Sequence, residues 1–222
     1  MKEIISIWKP ENITSYDVIR KIKFFDSSLK IGHCGTLDPF ASGILLICIG
    51  SNTKNISEYM NLQKTYEATI KLNTETDTLD HTGKIIKIKS NPITLKENDI
   101  KKSILKLTGK NIFQVPPFFS AKKFHGIKMY EFARKNIFIR RKPSIVSIHS
   151  IKLLEFSNNF IKIKVKCGKG VYIRAIARDL ANYLNTFGHL TELIRTDIGK
   201  YNFSNSYNLE DLKNVCSWII WF

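Results

Sequence analysis

Apolar and charged residues alternate strictly from Phe160 to Cys167. Ile161, Ile163, Val165 and Cys167 fall on one side, and Lys162, Lys164 and Lys166 on the other. Successive side chains of a strand point to opposite faces, so the segment predicts a strand with one buried face. Thr65 to Leu72 alternates similarly, and Ile85 to Ile88 reads as its partner. Ile44 to Ile49 is instead an unbroken apolar run, which predicts a buried strand. Helical spacing recurs in three places. Behind a short N-terminal strand, Val18, Ile19, Ile22 and Phe25 follow Thr14 and Ser15, either of which can cap the helix. Glu97 to Leu107 carries Ile100, Ile104, Leu105 and Leu107, and Val171 to Leu184 carries Ile173, Ile176, Ala177, Leu180 and Leu184. Lys30 to Gly43 reads as a loop punctuated by Gly32, Gly35, Pro39 and Gly43, and strands return from Pro143. Strands and helices mix without regular βαβ alternation. That predicts an α+β fold on a largely antiparallel sheet flanked by helices. No repeat or low-complexity linker divides the chain, so one continuous domain is expected.

Composition sharpens this picture. Of 222 residues 43% are hydrophobic, enough for a substantial core. Lys and Arg number 35 against 19 Asp and Glu, a formal charge of +16. Such an excess points to a polyanionic partner, most often nucleic acid, because cations that neutralise phosphates release counterions. A general richness in Lys, Ile and Asn is the other source of such a charge. A membrane surface would call for a basic amphipathic helix or a lipid anchor, and neither is evident. Cys34, Cys48, Cys167 and Cys216 are scattered without a C-x-x-C pair, which suggests neither zinc nor a disulfide framework. Met1 to Pro10 lacks a signal-peptide core, and Trp218 to Phe222 is too short to span a bilayer and is expected to pack against the domain. A cytoplasmic protein with reduced thiols fits best.

The loop Gly32-His33-Cys34-Gly35-Thr36-Leu37-Asp38-Pro39-Phe40-Ala41-Ser42-Gly43 concentrates the candidate chemistry. Its glycines allow sharp turns and close approach to a ligand. A carboxylate repels phosphate, so Asp38 in so basic a chain needs a reason to be there. Read by itself, it either caps the loop through backbone N–H groups or serves a reaction. Asp77 and Asp80 lie close together near Gly83 and read as solvated turn carboxylates, which argues against a metal-dependent nuclease.

Written G-H-x-G-T-L-D-P-x-A-x-G, the loop resembles the signature of the tRNA pseudouridine-55 synthase (TruB) family, whose members include RNA-guided dyskerin-like enzymes. The resemblance covers almost all of the chain. It continues through Lys9-Pro10, Lys64-Thr65-Tyr66, Gln114 to Arg134, Gly168 to Arg174, and His189 to Thr196 with Leu193 and Arg195. It implies a pseudouridine synthase fold and isomerisation of uridine-55 in the tRNA TΨC loop. The N1–C1′ bond breaks, the uracil turns, and C5 joins C1′; nothing is gained or lost, so no cofactor and no metal is expected.

By the same resemblance Asp38 is the catalytic carboxylate, attacking C1′ or removing a sugar proton. Arg174 is the cation that keeps it charged, and Tyr66 stacks on the uracil and assists loss of the C5 proton. Read without the family, Tyr66 is ordinary strand packing and Arg174 a phosphate-binding or surface arginine. His33 is assigned to RNA contact, Lys9 to substrate binding, and Tyr172 and Leu193 to the uracil pocket; read without the family, His33 is a structural hydrogen-bonder and Tyr172 and Leu193 simple core. Lys122, Lys123, Arg134 and Arg141 lie in a segment, Lys122 to Lys142, that interleaves cations with Phe124, His125 and Tyr130. That pattern suits RNA held around an extruded base. The lysine face of Phe160 to Cys167 either extends this footprint or is a solvated edge.

Phe119 stands where the family usually has Tyr, and Trp8 where an acidic residue is common. The expectation is a monomer made of one catalytic domain over residues 1–222, without the small C-terminal RNA-binding domain of many relatives. It acts on tRNA without a membrane or an obligate protein partner. Rival readings are the catalytic subunit of an RNA-guided complex and an RNA-folding helper that has lost catalysis.

Overall fold

A computed structural model describes residues 4–91 and 93–212. Along the chain, β1 (Ile4–Lys9) leads into α1 (Ser15–Lys23), followed by β2 (Ile31–His33) and β3 (Ser42–Ile49). The short α2 (Ile56–Asn61) precedes β4 (Lys64–Leu72), β5 (Thr74–Thr76) and β6 (Ile85–Ile88). Next come α3 (Glu97–Leu107), β7 (Gly109–Gln114), and the two-residue strands β8 (Lys123–Phe124) and β9 (Ile127–Lys128). The chain continues through α4 (Met129–Arg134), β10 (Ser144–Phe156), β11 (Phe160–Cys167), α5 (Ile173–Tyr183), β12 (Gly188–Ile198) and β13 (Tyr207–Asn208). The fold is α+β with a mixed, mostly antiparallel sheet. Two compact units divide the chain, residues 1–66 with 193–222 and residues 67–192, and β4 and β12 give residues to both.

In the first unit the strand order is β13-β1-β3-β12, with β2 also on β3. The β1 and β2 pairings to β3 are antiparallel; β13 on β1 and β12 on β3 are parallel. β3 is buried on both sides. Leu45, Ile47 and Ile49 join Ile5, Ile7 and the α1 residues Val18, Ile19 and Ile22. Ile44, Leu46 and Cys48 pack with Cys34 and Ile198, flanked by Ile56, Tyr59 and Leu62. A strand with two buried faces has no polar side to display, which explains the unbroken apolar run. Each such side chain contributes roughly 1.5–3 kcal/mol by leaving water. Thr14 is the cap of α1: its hydroxyl accepts from Asp17 N, and the Asp17 carboxylate accepts from Thr14 N at 2.8 Å. Ser15, the other capping candidate, is buried and used elsewhere.

The second unit orders its strands β4-β11-β10-β7, and α3 packs on α5 and on β10. β11 buries Ile161, Ile163, Val165 and Cys167 as its alternation predicts. Several expectations change. Ile31–His33 is a strand on β3 inside the stretch read as a loop. Ile85–Ile88 pairs with Thr74–Thr76, not with β4, and all four of its residues are exposed. In α3 Leu105 faces out and Ser103 is buried, because α3 turns its Ile100, Ile104 and Leu107 edge inward. The stretch Trp218 to Phe222 lies outside the described residues.

Candidate active site

The loop bearing Asp38 is braced from several directions within the first unit. Ser15 Oγ donates to Leu37 O at 3.0 Å and accepts from Leu37 N at 2.9 Å, fixing the residue before Asp38. Pro39 O, just after it, accepts from Asn12 N at 2.8 Å and from Lys9 Nζ at 3.3 Å. Ala41 N donates to Asp38 O at 3.1 Å, closing a tight turn. On the far side Arg195, carried by β12, donates from Nε to Ile44 O at 2.6 Å and from its two Nη atoms to Thr36 O and Gly35 O. Gly43 lies opposite Arg195 with φ of 118°, and a Cβ there would fall 2.3 Å from Arg195 O. Only glycine fits that approach. Asp38 itself is half-buried.

Two buried cations therefore sit beneath the loop. Lys9 is 0% exposed; its ammonium donates to Pro10 O at 2.7 Å and Ile13 O at 2.9 Å as well as to Pro39 O. Burial lowers its pKa to about 8, Arg195 adds to the effect, and Asp38 opposes it. The enclosed ammonium, with its three carbonyl acceptors, holds the loop. His33, on β2, is half-buried, and none of the described residues pairs with its enclosed Nδ1. Burial, then Arg195, lowers its pKa, which favours the neutral imidazole. Tyr66 on β4 and Leu193 on β12 are buried in the same unit.

In the second unit Arg174 lies in the first turn of α5, 4% exposed. Its Nη1 donates to Thr78 O at 2.8 Å and its Nη2 to Phe119 O at 2.9 Å, and Nη1 lies 3.5 Å from the Asp80 carboxylate. Asp80 is not the solvated turn residue the sequence suggests. It is 4% exposed, and its Oδ1 accepts from the Thr78 and Thr82 hydroxyls at 2.8 and 2.6 Å. A buried carboxylate needs such donors and a nearby cation to stay charged. Asp77 fits the expectation better, accepting from Lys84 N in the turn. Tyr172, the N-cap of α5, is clamped by Gln114, whose side chain accepts from Tyr172 N and donates to Tyr172 O.

The basic segment has a hairpin base. β8 and β9 pair through His125 and Gly126, both at positive φ, a geometry that matches the twist of a two-residue hairpin. Lys123 and Arg134 are exposed, Arg134 lying over the Tyr130 ring. Lys122 donates to Ser144 Oγ, and Arg141 donates to Pro116 O at 3.0 Å. On β11, Lys164 pairs with Glu67 at 3.2 Å, so that lysine face is partly neutralised.

Arg195, which the sequence offered only within a motif, and Asp80, which it offered as a solvated turn residue, gained their structural roles only in the fold. A signal existed for both buried cations of the loop: Ile5, Ile7 and Lys9, and likewise Leu193 and Arg195, fall on one face at period two. For Asp80 the flanking Thr78 and Thr82 were the cue, two hydroxyls able to satisfy a buried carboxylate, while Thr76 donates to the Asp80 main-chain carbonyl.

Comparison with known proteins identifies the family. A tRNA pseudouridine synthase B of Clostridium acetobutylicum is 43% identical over 212 residues, covering 96% of this chain and 72% of the relative. The enzyme of the same name from Onion yellows phytoplasma is 44% identical over 206 residues, covering 92% and 72%. Among solved structures, a chain from the crystal structure of a Cbf5-Nop10-Gar1 complex superposes with a TM-score of 0.73 at 24% identity. The match covers 97% of this chain but only 55% of that one, and shows a shared fold. The model of the TruB family pseudouridylate synthase N-terminal domain matches residues 20–173, a span that takes in the braced Asp38 loop, Tyr66 and Asp80. With that match and such relatives, the chain belongs to the TruB family of pseudouridylate synthases.

Proposed function

We propose that the chain isomerises uridine-55 in the TΨC loop of tRNA to pseudouridine. The name shared by its relatives, tRNA pseudouridine synthase B, supports tRNA as substrate. The reaction moves the sugar carbon C1′ from N1 to C5, and the C5 proton is lost while N1 gains one. A base inside a folded loop is reached by extruding it from the stack. In this reading Asp38 meets the electron-poor C1′, as nucleophile or as base toward a sugar proton. Arg174 keeps the carboxylate charged, and Tyr66 stacks on the uracil and assists loss of the C5 proton. Tyr172 and Leu193 shape the pocket for the base, and His33 and the exposed cations of Lys122 to Lys142 contact RNA. The chain works on tRNA as a monomer in the cytoplasm, without an obligate protein partner or cofactor. Among the described residues no helix is long and apolar enough to cross a membrane.

The observation that carries the reading is the loop itself: a half-buried aspartate inside the span matched by the family model, whose flanking residues Gly35, Leu37 and Pro39 are held by Arg195, Ser15, Asn12 and Lys9. Its test is to incubate the protein with an unmodified tRNA transcript, map pseudouridine, and run Asp38→Asn in parallel. One new pseudouridine in the TΨC loop, absent with the variant although tRNA still binds, is the expected result. Normal turnover by Asp38→Asn would remove Asp38 from the reaction.

A further inference from the structure

Pro116 and Pro117 interrupt the segment between β7 and the basic hairpin. Neither has a backbone N–H, so the segment cannot be held by an ordinary ladder of backbone hydrogen bonds. Three arginines grip its carbonyls instead. Arg178 donates to Val115 O at 3.0 Å, Arg141 to Pro116 O at 3.0 Å, and Arg174 to Phe119 O at 2.9 Å. Arg174 and Arg178 are one turn apart on α5, whereas Arg141 comes from the far end of the basic segment. Its guanidinium lies 3.7 Å over the centroid of the Phe118 ring, and Phe118 meets Phe138 edge-on at 5.4 Å.

We propose that Arg141 is a positioning residue, setting the guanidinium of Arg174 through the backbone of residues 116–119. This rests on the reading above, in which Arg174 serves the reaction. The linkage is short. Arg141 fixes Pro116 by a hydrogen bond and Phe118 by stacking, and Phe119 O, one residue on, accepts from Nη2 of Arg174. Arg141 is half-buried and occupied by ring and carbonyl, while its neighbours Arg140 and Lys142 are exposed. Those neighbours are the better placed cations for phosphate. Lysine at position 141 would retain the charge but lose the planar stack and fork. A charge contact tolerates that exchange and a positioning contact does not.

The test compares Arg141→Lys, Arg141→Ala and Phe118→Leu with the wild-type protein. A misplaced catalytic group slows chemistry steeply, so all three should lower the single-turnover rate of pseudouridine formation roughly tenfold. The Kd for tRNA and its logarithmic salt slope should stay at wild-type values. If Arg141 instead bound a phosphate, Arg141→Lys would behave as wild type and Arg141→Ala would lose roughly one unit of salt slope; that pattern overturns the proposal. A second readout needs no activity. The side-chain N–H resonance of Arg174, assigned by its loss in Arg174→Lys, should shift in Arg141→Lys and in Phe118→Leu of the free protein. An unmoved resonance overturns the inference whatever the rates. A wild-type protein that modifies no tRNA uridine would sink the parent reading, and the resonance would still decide the role of Arg141.

Discussion

Lys9 carries a signature of burial that can be measured directly. Burial brings its pKa from 10.5 to about 8, so the folded protein releases this proton before the unfolded chain does. Between those values the unfolded state binds more protons, and stability rises with pH. The stability of the wild type relative to Lys9→Met should therefore increase from about pH 8 to about 10.5, read as the difference in urea midpoints. A flat difference would mean that Lys9 is not enclosed as described. Gly43 offers a second test at this scale. Alanine there combines a left-handed φ of 118° with a Cβ placed 2.3 Å from Arg195 O. Gly43→Ala should lower unfolding stability by more than ~1 kcal/mol, since both strain and collision oppose it. The period of β1 places Lys9 on the same face as Ile5 and Ile7, yet its carbonyl partners at Ile13 and Pro39 come from elsewhere in the chain. Residue type and spacing therefore indicate a buried position, but not the groups that make burial of a charge tolerable.

At the scale of elements, local rules worked where one stretch of chain satisfies itself. The cap of α1 is such a case, with Thr14 and Asp17 exchanging hydrogen bonds three residues apart. Thr14→Ala should destabilise the protein by about 1 kcal/mol in thermal or urea unfolding, leaving the fold intact. The alternation of β11 and the apolar run of β3 were also legible, because burial of one or two faces is written in the period. Pairing was less so. Ile85–Ile88 has an apolar pattern but lies exposed against Thr74–Thr76, since its partner is chosen by the turn that joins them. The hairpin through His125 and Gly126 escaped the period because two-residue strands have none to show.

For the whole molecule the charge of +16 makes a prediction that needs no single residue. Binding of tRNA should weaken steeply with salt. If about six phosphates are neutralised, affinity should fall roughly a thousandfold between about 50 and about 200 mM salt. A titration by fluorescence anisotropy measures this, and a flat response would contradict a phosphate-dominated interface. The sequence by itself determined the α+β class, the basic character, the positions of most strands and helices, and the loop whose pattern resembles the family. These depend on local period, composition and contiguous motifs. Only the tertiary structure decided that Lys9 and Arg195 hold the loop through its carbonyls, and that Asp80 is buried beside Arg174. The physical reason is separation along the chain. Arg195 grips carbonyls about 160 residues away, and Arg174 one that is 96 residues away. No local period records which distant carbonyl a buried cation will meet.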